Sequence, residues 1–289
     1  MAPFTCELYG QPTWSEWRLP AVQPTAVARP ALTITRDEAL CMPDTRQDDG
    51  RLGFALESDA WWFDFPDSGV YRLTDDTIAV RPGPGANDHH VADCLTSRLV
   101  GLVMRRRGRL VLHANVVGRN GRALLRVGRS GAGKTTLTRA LLRTGFEFLS
   151  DDLAVVEVGD RAAVVQPGPG RLKVRRDGET QGTPLAAKTV VARPPYRSGL
   201  PVHAVVLVEP TSPWSFDRLK PSESALHLVR HAHLPRSLGV TGDSGTHLER
   251  ASRLVATVPT YQLNRGEGRT DLDRSTRRLA DLVAGGAYS

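Results

Sequence analysis

An α/β fold with a strand-rich N-terminal region is what three features of this 289-residue chain predict. First, the segment Gly128-Arg129-Ser130-Gly131-Ala132-Gly133-Lys134-Thr135-Thr136 fills every fixed position of the G-x-x-x-x-G-K-[ST] pattern. Second, the apolar run Ala123 to Val127 precedes it as a strand, and Leu137 to Arg143 follows with helical spacing before Gly145. Third, short apolar runs separated by turn residues fill the region before Pro82.

Taken in order, residues 1–30 are Pro-rich with little periodicity and read as an arm on the surface. Ala31 to Thr35, Trp61 to Phe65, Gly69 to Leu73 and Thr77 to Val80 read as strands of an antiparallel sheet, punctuated by Pro66-Asp67-Ser68 and Asp75-Asp76. Pro82-Gly83-Pro84-Gly85 marks the boundary between an N-terminal region, 1–85, and a catalytic domain, 86–289. A helix capped near Asn87-Asp88 then leads to one strand, Leu110 to Val117. After the glycine segment come strands at Phe146 to Ser150, Leu153 to Val158 and Ala162 to Val165. Residues 175–200 read as a long polar excursion and Val202 to Val208 as a buried strand. A helix at Ser222 to His233, a mobile Gly/Ser-rich stretch at Pro235 to His247, a strand at Val258 to Leu263 and a helix at Asp271 to Val283 complete the chain.

Composition bounds the function classes. The net charge of +7 is carried almost wholly by arginine, and its densest cluster, Arg105-Arg106-Arg107-Gly108-Arg109, ends a helix, where cations complement the macrodipole. Nucleic acid is therefore not expected as a partner, whereas the basic balance favours an acidic peptide. No apolar run approaches membrane-spanning length, so no membrane partner is expected. Cys6, Cys41 and Cys94 lack C-x-x-C spacing, which predicts reduced thiols in a cytoplasmic protein.

The glycine segment carries the chemistry. Glycines let backbone N–H groups of Gly128, Ser130, Gly131, Ala132 and Gly133 turn toward phosphate oxygens, and the helix N-terminus adds partial positive charge. Lys134 is expected on the terminal phosphates and the Thr135 hydroxyl on Mg²⁺, with Thr136 beside it. The pair Asp151-Asp152 ends a strand soon after the loop's helix, where a nucleotide-bound metal needs a carboxylate. One acid is suited to the metal and the other to accepting a proton. The chain is expected to bind a nucleoside triphosphate.

Together, His113 in LHANVV, the loop GRSGAGKTT and the segment FLSDDLAVV resemble, in order and spacing, the catalytic core of the HPr kinase/phosphorylase family. The segments VVQPGPGRLKV, VHAVVLVEP and VPTYQL extend the resemblance to HPr kinase-related kinases associated with peptide natural-product gene clusters. It covers roughly residues 60 to 285 and implies a P-loop kinase core of the HPr kinase and phosphoenolpyruvate carboxykinase type. The activity it implies is ATP- and Mg²⁺-dependent phosphorylation of a hydroxyl group. By position, Asp151 is then the general base, Asp152 a metal partner, and His113 lines the transfer site. Two departures are visible. Thr136 stands where that family has an acidic residue, and its Gly-Arg-Asn signature has no counterpart, which argues against phosphorylase activity, HPr as substrate and a hexamer.

The acceptor stays open between a Ser or Thr of a ribosomally made precursor peptide and a small-molecule alcohol. A P-loop ATPase or scaffold acting on a peptide without phosphorylating it is the other class. An oligomer is compatible with either. His227 and His231 have zinc-like i, i+4 spacing on a helix but lack a third ligand. Trp61-Trp62 reads as core, and Arg171, Lys173 and Arg175, which follow the acidic strand, as solvated charge within reach of substrate or phosphate.

Overall fold

The computed structural model describes residues 4–48, 52–57, 59–174, 189–192, 196 and 198–285 of a mixed α/β chain. Two compact units divide it, Met1–Arg109 and Leu110–Ser289.

The first unit holds one eight-stranded sheet: β1 Phe4–Leu8, β2 Gln11–Ser15, β3 Leu32–Arg36, β4 Gln47–Asp48, β5 Gly53–Leu56, β6 Trp61–Phe65, β7 Gly69–Leu73 and β8 Thr77–Pro82. Their order is β1-β2-β3-β8-β7-β6-β5-β4, with β3 parallel to both β2 and β8. The expected wholly antiparallel sheet is thus mixed. The expected surface arm supplies β1 and β2, which bury Cys6, Leu8, Thr13 and Ser15. Pairing across distant segments, rather than local periodicity, makes these strands. The helical run divides into α1 Asp88–Cys94, a π-helical turn at Leu95–Leu99 and α2 Val100–Arg106. Asn87 caps it, accepting the His90 N–H, as its sequence suggests. It belongs to the first unit, which runs on to Arg109, past the boundary read at Gly85. Arg105 and Arg106 lie over the Trp61 ring, and Arg106 pairs with Asp75 at 3.0 Å. The arginine cluster is thereby spent on contacts inside this unit, and Trp61 and Trp62 are buried.

The second unit contains β9 Leu110–Leu112, β10 Ala114–Arg119, β11 Arg122–Val127, α3 Lys134–Leu142, β12 Glu147–Ser150, β13 Ala154–Val158 and β14 Ala163–Gln166. It continues with β15 Arg171–Val174, β16 Thr189–Ala192, β17 Leu200–Glu209, β18 Ser215–Arg218 and α4 Pro221–Arg230. The last elements are α5 Pro235–Thr241, α6 Ser244–Thr257, β19 Thr260–Asn264 and α7 Gly268–Ala284. The main sheet runs β12-β10-β11-β17-β14-β13-β9, with β19 also on β17 and β18 on β19. β15 and β16 form a separate two-stranded sheet. One apolar core contains Val116, Leu125, Val127, Val156, Val165 and Val205, with Leu228 of α4 and Leu254 of α6; another joins Leu124, Val206 and Leu263 to Leu137 of α3 and Leu279 of α7.

Direction decides where the site forms. β11 is parallel to β17, and β17 to β19, while β10 is antiparallel to both β11 and β12. The C-terminal ends of β11, β12, β17 and β19 and the N-terminal end of β10 therefore open on one sheet edge, the usual place for ligands in such sheets.

Two expectations change here. The segment Pro235 to His247 is not a loose stretch, since α5 and the start of α6 occupy it. Ala251, Leu254 and Val255 give α6 a buried stripe that overrides Gly245, and Ser237 and Leu238 bury one side of α5. The excursion at 175–200 lies largely outside the described residues; within it, Thr189–Ala192 forms β16, which pairs with β15, and Leu200 opens β17. Among the described residues, no helix is long and apolar enough to cross a membrane.

Candidate functional site

β11 ends at Val127, and the chain passes through Gly128–Gly133 into α3 at Lys134, the strand–loop–helix arrangement the sequence predicts. Gly131 and Gly133 hold φ of 87° and 95°, a region that side chains rarely adopt. At Gly128, a Cβ would lie 2.5 Å from the Val208 carbonyl oxygen, so the loop passes too close to β17 for any other residue. Ser130 and Gly131 are exposed, Ala132 is buried, Thr135 is partly exposed and Thr136 is exposed on the first turn of α3. Lys134 is buried and folds back over its own loop. Its Nζ donates to the carbonyl oxygens of Gly128 at 2.6 Å and Arg129 at 3.2 Å.

The strand expected from Leu110 to Val117 is broken at His113. Its N–H donates to the His231 carbonyl at 2.8 Å instead of joining a ladder, and the chain moves from the β13 pairing of β9 to the β11 and β12 pairings of β10. The ring sits 3.0 Å from the Asp152 carbonyl oxygen through Nδ1 and 3.4 Å from Lys134 Nζ through Nε2. A carbonyl only accepts, so Nδ1 carries the proton and the Nε2 lone pair faces the lysine.

Asp151 and Asp152 follow β12. Asp152 adopts φ 65°, a left-handed backbone that a non-glycine residue keeps only where its surroundings enforce it. The Asp151 carboxyl accepts from Asn115 Nδ2 at 2.5 Å on one oxygen and from the Lys173 N–H at 2.8 Å on the other. Lys173 Nζ also lies 3.6 Å from Asp152 Oδ2. Burial, and then the neighbouring Asp152, push Asp151 up to about 7, against the opposing pull of Lys173 and Arg126. The result is a carboxyl suited to taking a proton near neutral pH.

Four further residues stand around this edge. Arg126 of β11 is fully buried opposite Asn115, and among the described residues none of its guanidinium nitrogens has a hydrogen-bond partner. Burial pushes it down to about 9, opposed by Asp151. Its signal in the sequence was a lone charge inside the apolar run Ala123 to Val127. Lys173 is buried at the acids rather than solvated, because β15 brings it there. His231, just beyond α4, is pushed down to about 4 by burial and then by Lys134, His113, His227 and Arg129. Among the described residues, no group of three or more His, Cys, Asp or Glu side chains is arranged to hold a metal ion. Arg265, after β19, donates from Nε to the Ala132 carbonyl at 3.1 Å.

No family model matches the chain. No curated protein matches it either. Among solved structures, the chain is similar to the Hpr(Ser) kinase/phosphatase from Coxiella burnetii, at 12% identity and a TM-score of 0.35, over 61% of this chain and 99% of that one.

Proposed function

We propose that the protein is an ATP- and Mg²⁺-dependent kinase that transfers the γ-phosphoryl group to a hydroxyl, working in the cytoplasm. One observation carries the reading. A glycine loop with its lysine, an aspartate pair and a histidine meet at one sheet edge, with Lys134 within 3.4 Å of His113, and His113 held on Asp152. The loop's left-handed glycines and the start of α3 suit a phosphate chain. The motifs around His113, Gly128 to Thr136 and Asp151 to Asp152, which resemble the HPr kinase core, support the same reading.

In this mechanism Asp151 accepts the proton of the acceptor hydroxyl as its oxygen bonds to the γ-phosphorus. The bond from that phosphorus to the β,γ-bridging oxygen breaks, and ADP leaves with the electron pair. Asn115 and the Lys173 N–H hold the Asp151 carboxyl in line. Lys134 leaves its loop carbonyls for the β- and γ-phosphate oxygens, and His113 lines the transfer site. The Thr135 hydroxyl and the Asp152 carboxylate are hard oxygen donors of the kind Mg²⁺ prefers, and they would hold it with phosphate oxygens and water. The ion's contribution is neutralisation of phosphate charge.

The preferred acceptor is a Ser or Thr of a ribosomally made precursor peptide. That preference rests on the resemblance to kinases of peptide natural-product clusters, and the exposed Arg129 suits acidic flanking residues. Mass spectrometry of peptides encoded beside the gene, incubated with ATP and Mg²⁺, tests it. One added phosphate on a hydroxyl is the expected result. Phosphorylation of a small alcohol alone would change the acceptor class, and phosphate release without any phosphoproduct would make the protein an ATPase.

A further inference from the structure

We infer that Arg265 binds the phosphates that remain with the nucleoside diphosphate product, an inference that rests on the phosphate-loop reading above. The chain leaving β19 is pinned to the chain leaving β17, with the Arg265 N–H on the Glu209 carbonyl and the Gly266 N–H on the Thr211 carbonyl, both at 3.0 Å. Gly266 holds φ 62°, and a Cβ there would lie 2.2 Å from Asp271 Oδ2. That same oxygen accepts the Glu267 N–H at 2.9 Å, so the turn is fixed on both sides. Its direction sends the Arg265 side chain back across the glycine loop.

The contact is close. A Cβ built on Gly133 would lie 2.7 Å from Arg265 Nε and 2.9 Å from its Cδ, so the arginine occupies the space that the missing side chain leaves. Nε is used on the Ala132 carbonyl, whereas the Nη groups have no partner among the described residues. An anchored guanidinium with a free fork beside the glycine loop is suited to paired phosphate oxygens.

Strand order selects which phosphates. Asp151 follows β12, on one side of β11, while Arg265 follows β19, on the other side beyond β17. The transferred phosphate must face Asp151, Lys134 and His113. The remainder of the nucleotide then extends toward β17 and β19, and Arg265 meets the α- and β-phosphates.

Calorimetric titration of the full chain with ADP and with ATP, alongside steady-state kinetics, tests this. Arg265→Ala should weaken ADP and ATP equally, by roughly ten- to a hundredfold, the loss expected for a charged hydrogen bond. It should raise the KM for ATP and leave kcat largely in place. Arg265→Lys should retain more affinity than Arg265→Gln, because the charge rather than the contact with Ala132 does the binding. Gln retaining more than Lys would make the residue a loop support and overturn the assignment. Loss of ATP affinity alone, or a fall in kcat at unchanged KM, would overturn it too. Lys134→Ala run in parallel separates the two failures: if Lys134→Ala weakens binding and Arg265→Ala does not, only this inference falls. If neither does, the phosphate-loop reading falls with it.

Discussion

Asn115 Nδ2 donates to the Asp151 carboxyl at 2.5 Å across the β10–β12 seam, and the same amide lies 3.3 Å from Thr138 Oγ1 on α3. One buried side chain therefore ties the acid to the helix that follows the glycine loop. Asn115→Ala should lower kcat by roughly a hundredfold through misplacement of the base, with nucleotide affinity retained. Steady-state kinetics beside nucleotide titration would check this, and an unchanged kcat would remove Asn115 from the mechanism.

The two carboxylates should separate under substitution. Asp151→Asn should abolish transfer yet keep Mg²⁺–nucleotide affinity, because it removes a base and no metal ligand. Asp152→Asn should weaken nucleotide binding only when Mg²⁺ is present. Calorimetry of each variant with and without the ion distinguishes them, and the reverse pattern would exchange the roles.

A pH dependence of stability follows from Asp151. Its pKa is raised to about 7, so the native state holds the proton more tightly than the unfolded chain does. The stabilising contribution is complete below about pH 4, where both states are protonated, and is lost as pH rises through the folded value. Without divalent cations, wild type should lose stability relative to Asp151→Asn between about pH 5 and pH 8 in urea melts. A constant difference across that range would contradict the assigned environment.

Arg126 makes the opposite kind of prediction. A fully buried guanidinium without a hydrogen-bond partner among the described residues costs stability, and a methionine fills similar space without the charge. Arg126→Met should stabilise the fold by about 1–3 kcal/mol, the cost of a buried polar group left unsatisfied. It should also raise the pKa of Asp151 further, since Arg126 opposes that rise, and so move the acid limb of kcat/KM upward. Loss of stability in the urea midpoint would show that the charge supports the fold instead.

What the sequence made legible was local. The glycine loop needs no partner segment to be recognised, and β11, α3, β12 and β13 carry their own periodicity. Asp151 and Asp152 stood out because they interrupt an apolar run. Lys173 did not, since its place at the acids depends on where β15 is carried, and nothing near Arg171 encodes that. Arg265 was hidden for the same reason: Asn264-Arg265-Gly266 reads as an ordinary turn until β19 is known to lie beside β17. At Pro235 to His247, glycines and serines outweighed the buried stripe that starts just beyond them. The break at His113 could not be read either, because the apolar residues from Leu110 to Val117 read as one continuous strand.

The two-stranded β15–β16 sheet has one consequence for chemistry. Lys173 sits on a strand that shares no ladder with the sheet carrying Asp151 and the glycine loop, yet its N–H and ammonium both temper that acid. Basicity is therefore adjusted by a component that is separable from the machinery it adjusts. In this arrangement the Lys173 N–H and charge keep the Asp151 carboxylate a weaker base than burial beside Asp152 alone would make it.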